Sequence, residues 1–172
     1  MLLLHLWEQI DAAAHASCGS SIGKGLLPDV DENKTPSTSN GANRPIRIVV
    51  ADDVPEVIEA IRQSLPSTSE IVSSVGDGCA LLKRVLELQP DLVITDISMP
   101  QMTGLEALCQ LRRCGFHGPV IVVSIHEDED LATMAIANGC SAFVLKSQLA
   151  QDLGFAVEEA LAGRKFVSAP FR

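Results

Sequence analysis

Ile46-Arg47-Ile48-Val49-Val50-Ala51-Asp52-Asp53 and Leu92-Val93-Ile94-Thr95-Asp96 share one pattern: an aliphatic, β-branched run that stops abruptly in acid. Runs of this kind read as strands covered on both faces in a parallel sheet. Val120–Val123 and Ala142–Leu145 repeat the pattern and end in Ser124 and Lys146. Ile71–Val75 is more polar, with Ser73 and Ser74 inside it, and suits a sheet edge.

Between these runs the period changes from strand-like to helical. Val54, Val57, Ile58, Ile61 and Leu65 fall on one helix face, and Pro55 stands near the first turn, where a missing N–H does no harm. A third helix is expected from Gly104, using Leu105, Leu108 and Cys109. A fourth opens with Glu127–Asp130, acids placed favourably against a helix N-terminus, and stops at Asn138 and Gly139. The last buries Leu149, Leu153, Ala156, Val157 and Ala160 and ends at Gly163. Strand and helix alternating within about 120 residues predict a right-handed, doubly wound α/β domain with a five-stranded parallel sheet and five helices.

Composition bounds the function. The apolar fraction of 47% supports a core without disulfides or metals. A formal charge of -9, from 13 basic against 22 acidic residues, argues against nucleic acid, whose phosphates are held by clustered Lys and Arg. Cys18, Cys79, Cys109, Cys114 and Cys140 are odd in number and scattered, which suits a reducing cytoplasm. Cys109 and Cys114 lack the gap of about two to four residues seen in zinc sites and are read as buried small hydrophobes. Met1–Trp7 has no basic first region and too short an apolar run for a signal peptide, and no stretch reaches membrane-spanning length.

Three domains of behaviour are expected. Residues 1–44 form an N-terminal extension, with helical spacing of Leu3, Leu6, Trp7 and Ile10 followed by a Gly, Ser, Pro and Asn-rich linker. Residues 45–165 form the α/β domain, and 166–172 a short tail.

In open parallel sheets a ligand site lies beyond the carboxyl ends of the strands. Here that rim would gather Asp52 and Asp53 from the first strand, Asp96 from the third, Ser124 from the fourth and Lys146 from the fifth. Each has an ordinary reading when taken singly: an acid in a turn, a helix-capping serine, a solvated lysine. Together they suggest more. Three adjacent carboxylates repel unless a cation joins them, and an all-oxygen site with room for phosphate oxygens suits Mg2+ better than structural calcium. One carboxylate could then act as nucleophile toward a phosphoryl group while Lys146 and Ser124 hold its oxygens.

These residues resemble a known family, the response-regulator receiver domain of bacterial two-component systems, from Ile46 to about Gly163. The resemblance rests on Asp52-Asp53, on Asp96-Ile97-Ser98-Met99-Pro100 followed by Gly104, on Ser124, and on Phe143-Val144-Leu145-Lys146. It implies a flavodoxin-like sheet of order 2-1-3-4-5 and phosphorylation of Asp96 by a histidine kinase or phosphotransfer protein. It further implies Mg2+ on Asp53, Asp96 and the Ser98 main-chain carbonyl, with Asp52 acting through water. Lys146 would pair with the phosphoryl group, Ser124 would move to bond it, and Phe143 would rotate inward as the switch. Ser147 follows Lys146 where many members carry proline, so no cis bond is expected there. Ser98 and His126 occupy positions that tune phosphate loss in the family.

Gly139–Lys146 and Gly163–Val167 look most like receivers that precede a helix-turn-helix of the LuxR type, for which no room follows before Arg172. A stand-alone receiver and a truncated regulator both fit, as does a phosphorylation-dependent homodimer. Two rivals remain beside this non-enzymatic, cytoplasmic switch. One is a pseudo-receiver acting only as an interaction module. The other is an aspartate-nucleophile phosphatase of the haloacid dehalogenase type, disfavoured because Ser98 stands where that class needs a second acid.

Overall fold

The computed structural model describes residues 44–169, so the helix and linker expected in the N-terminal extension lie outside the described residues. Strands and helices alternate as β1 (Ile46–Ala51), α1 (Pro55–Ser64), β2 (Ser69–Val75), α2 (Gly78–Leu88), β3 (Leu92–Asp96), α3 (Gly104–Arg113), β4 (Val120–Ser124), α4 (Glu129–Ala137), β5 (Ala142–Leu145), α5 (Leu149–Leu161) and β6 (Phe166–Val167). All pairings are parallel, in the order β2-β1-β3-β4-β5-β6. The polar β2 takes an edge, as its serines require.

Two-residue alternation splits the core into two layers. Ile48, Val50, Ile94, Ile121, Val123 and Val144 pack against α1 and α5. Val49, Ala51, Val93, Val120, Val122, Phe143 and Leu145 face α2, α3 and α4. Both faces of β1, β3, β4 and β5 are therefore dry, which is why these runs are continuously aliphatic.

Helix ends follow local chemistry. Asp77 caps α2 by accepting from the Ala80 N–H at 2.8 Å. Thr103 and Glu106 form a reciprocal capping box that fixes where α3 begins. Asp128 caps α4, so that helix starts at Glu129, two residues later than the acidic run suggests. Arg112 ties two loops together by donating to the carbonyls of Phe116 (2.8 Å) and Gly118 (2.8 Å) in one and of Gly139 (3.0 Å) in the other.

Two expectations change. The sheet has a sixth strand: Phe166 and Val167, assigned to a tail by sequence, pair with Ala142 and Phe143. Two residues are too few to show a period, so only the neighbouring β5 edge reveals them as a strand. Cys114 is exposed, because it caps the C-terminus of α3 beyond the apolar face, whereas Cys109 is half-buried and Cys140 buried.

Candidate functional site

The carboxyl ends of β1, β3 and β5 converge on one ion-paired cluster. Lys146 enters from the 3-10 turn Lys146–Gln148 directly after β5. Its Nζ lies 2.7 Å from Asp52 Oδ2 and 3.1 Å from Asp96 Oδ1. Both carboxylates are almost wholly buried, Asp52 at 1% and Asp96 at 5% exposure. Burial alone would lower the Lys146 pKa, but attraction to Asp52 and Asp96 outweighs it and holds the ammonium above its ordinary value. Lys146 is thus charged at any physiological pH.

Main-chain donors fix each acid. Asp52 Oδ1 accepts from the Val54 N–H at 2.9 Å, an Asx turn that sets the path from β1 into α1. Asp96 Oδ2 accepts from the Ser98 N–H at 3.0 Å, and its carbonyl accepts from Thr95 Oγ1 at 3.0 Å. Asp52 Oδ2 is buried and takes no well-aligned hydrogen bond, although the Lys146 ammonium stands beside it. Gly104 closes the loop behind Asp96: its N–H donates to the Ile97 carbonyl at 3.0 Å. A Cβ there would lie 1.9 Å from the Asp96 carbonyl oxygen. Only glycine lets α3 start this close to β3.

Sequence reasoning placed Asp52, Asp53, Asp96, Ser124 and Lys146 on one rim. The structure brings Asp52, Asp96 and Lys146 into contact. Asp53 is exposed, and among the described residues no three His, Cys, Asp or Glu side chains group as metal ligands. Ser124, 1% exposed, lies at the end of β4, one residue past the Asp96–Val123 pairing. Its hydroxyl accepts from the His126 N–H at 3.0 Å, a bond local to its own loop. The Ser98 side chain is exposed. Phe143 is fully buried, so the aromatic expected to rotate inward already stands in the core. Thr95 and Ser168 are the residues that sequence reasoning missed. Both act through hydroxyls on main-chain groups, for which a sequence carries no signal.

The donor set suits a hard divalent cation. Two buried carboxylates face one ammonium, leaving one negative charge in excess, and both acids offer oxygen.

A doubly wound sheet with a paired-acid and lysine cluster at its carboxyl rim defines a class of strand-end aspartate domains. Residues 48–158 match the family model of the response regulator receiver domain. The chain belongs to that family. It is 30% identical over 126 residues to the nitrate/nitrite response regulator NarL of Escherichia coli K12, covering 72% of this chain and 58% of NarL. It is 32% identical over 116 residues to the DNA-binding transcriptional activator EvgA of the same strain, covering 67% of this chain and 57% of EvgA. The chain therefore spans less than two thirds of these relatives. Among solved structures, the signal receiver domain of NarL from Mycobacterium tuberculosis superposes with a TM-score of 0.67 at 27% identity, covering 71% of this chain and all (100%) of that one. A LuxR-family response regulator from Aurantimonas sp. gives 0.69 at 28% identity, covering 74% and 92%. Among the described residues no helix is long and apolar enough to cross a membrane.

Proposed function

We propose that Asp96 accepts a phosphoryl group from a histidine kinase or phosphotransfer protein, and that this chain acts as a cytoplasmic switch in a phosphorelay. The observation that carries this reading is the Lys146 ammonium held between Asp52 and Asp96 at 2.7 and 3.1 Å on the carboxyl rim of the sheet. An Asp96 carboxylate oxygen bonds to phosphorus as the donor's P–N or P–O bond breaks, and the donor leaves with that electron pair. Lys146 then meets the phosphoryl oxygens with a charge already in place.

Asp53, Asp96 and the Ser98 main-chain carbonyl would hold Mg2+, with Asp52 beside them. The ion supplies charge neutralisation on the transferring oxygens. Ser124 is the second donor to the phosphoryl group, and to serve it must exchange its bond with His126 for one to phosphate. Phe143 and Ser124 form the switch, read out by a protein partner or by a phosphorylation-dependent homodimer. The acidic surface suits a protein partner better than direct contact with nucleic acid, and the role is that of a substrate for phosphotransfer, not of an enzyme.

The test is intact mass after incubation with Mg2+ and acetyl phosphate, native chain against Asp96→Asn. A single Mg2+-dependent phosphoryl adduct, absent from the variant, is expected. An unmodified native chain that also fails to bind beryllofluoride sinks this reading in favour of an idle interaction module. Turnover of a generic phosphate ester would instead support the phosphatase.

A further inference from the structure

β5 is four residues long and leads directly into Lys146, so whatever fixes its main chain fixes the point from which the lysine side chain leaves the sheet. On one side it pairs with β4, and on the other with β6. Main-chain groups of alternate residues point to opposite neighbours in a parallel ladder. The Phe166 N–H bonds the Ser141 carbonyl at 3.2 Å, and the Ser168 N–H bonds the Phe143 carbonyl at 2.9 Å. Residues 141, 143 and 145 of this edge therefore face β6.

The pattern would next require a carbonyl to receive the Leu145 N–H. The Ser168 hydroxyl takes that place, accepting at 3.2 Å. Ser168 is 0% exposed, although β6 itself is only half-buried. A hydroxyl sealed beneath an edge strand, bonded to the residue preceding Lys146, holds the last peptide of β5 where the lysine leaves the sheet. Lys165 adds a tie at the other end by donating to the Cys140 carbonyl.

We propose that Ser168 is a positioning residue for Lys146, and that β6 with Ser168 clasps the phosphoacceptor site from outside the expected α/β boundary. The proposal rests on the phosphoacceptor reading above. Without the hydroxyl, the Leu145 N–H is left buried and unpaired, and the end of β5 gains freedom. Because coupling is reciprocal, charge gained at Asp96 and pulled upon by Lys146 must also change how firmly the clasp holds.

The experiment measures the rate of the Mg2+-dependent acetyl phosphate adduct in the full chain, at a temperature where circular dichroism shows every variant folded. Ser168→Ala is expected to slow it about tenfold to hundredfold, the range for a sub-ångström to ångström misplacement of a charged group, and Ser168→Thr, which keeps the hydroxyl, to recover most of the rate. Arg112→Met is the control, removing three part-buried hydrogen bonds that involve none of Asp52, Asp96 and Lys146. A Ser168→Ala rate equal to the native one, or matched by an equal slowing in Arg112→Met, overturns the proposal while leaving Asp96 as acceptor. If Ser168→Ala does not fold, amide exchange of Leu145 in the native chain decides: a severalfold change on adding beryllofluoride with Mg2+ supports the clasp, and no change overturns it. A native chain that forms no adduct and binds no beryllofluoride removes both this proposal and the reading beneath it.

Discussion

Gly104→Ala tests how tightly the loop behind Asp96 is built. The added Cβ would stand 1.9 Å from the Asp96 carbonyl oxygen, 2.9 Å from its carbonyl carbon and 2.9 Å from Thr95 Oγ1. An ordinary carbon–oxygen contact is over 3 Å, so a shift of roughly 1 Å is required, and the atom in closest conflict is backbone that cannot swing aside. Overpacking of this kind costs about 1–3 kcal/mol, and straining the Gly104 N–H bond to the Ile97 carbonyl adds about 1 kcal/mol. Together a loss of about 2–4 kcal/mol is expected in urea unfolding with an unchanged m-value. The same displacement moves Asp96 against Lys146, so the acetyl phosphate adduct should form about 100-fold more slowly in the folded variant. A Gly104→Ala protein with native stability and native adduct rate would refute the reasoning, because the loop would then have slack that the geometry denies.

Cys140 is pushed up to about 12 from 9.0 by burial, against the opposing pull of Lys165 and Arg112. Its folded pKa is raised, so its contribution is complete below about pH 9 and is lost as pH climbs toward about 12, where the unfolded chain sheds its proton first. Stability should decline across that window, and Cys140→Ala should flatten the slope in denaturation curves taken at successive pH values. In alkylation at pH 8 read by peptide mass, Cys79 and Cys114 should react in the native state and Cys140 only on unfolding. Lys146→Met should leave Asp52 and Asp96 facing each other without their shared cation, costing about 3–5 kcal/mol at neutral pH by the usual penalty for breaking a buried pair. A Lys146→Met chain as stable as the native one in urea unfolding would contradict this. Gln101 sits exposed at φ 65° in the loop that follows Asp96. Gln101→Gly should raise stability by about 1 kcal/mol, checked by thermal unfolding.

Much of this architecture was legible because burial on both faces writes itself into composition. Ile48–Ala51, Leu92–Thr95 and Val120–Val123 could only be interior strands, and polar Ser73 and Ser74 marked β2 as the edge it proves to be. The rim of the site followed from topology: every parallel strand ends at the same side, so Asp52, Asp96, Ser124 and Lys146 had to share it. Which of them touch was not legible. Asp53 follows Asp52 directly, yet alternation sends one inward to Lys146 and the other to solvent. The loop bond from His126 to Ser124 and the stacking of Gly104 on Asp96 depend on approach distances that no spacing encodes. β6 was missed for a different reason. A two-residue strand has no period, and its partner lies more than twenty positions upstream in the chain.

Lys146 joins the ends of β1, β3 and β5 at once, and its two contacts are unequal, 2.7 Å to Asp52 and 3.1 Å to Asp96. A phosphoryl group on Asp96 would place about -1.5 to -2 charges where one stood before. Attraction between point charges scales with their product, so the balance would tip from Asp52 toward Asp96. The main chain of Lys146 is held from behind, because the peptide before it is pinned by Ser168 while Ser168 also pins Phe143 through its N–H. Displacement of the ammonium beyond what its four-carbon stem absorbs would appear as strain along β5, shared between the residue read as the switch and the clasp that covers the sheet edge. If Asp96 is phosphorylated, the signal would on this geometry leave the site along the β5 main chain, and the β6 edge would sense it as directly as Phe143 would.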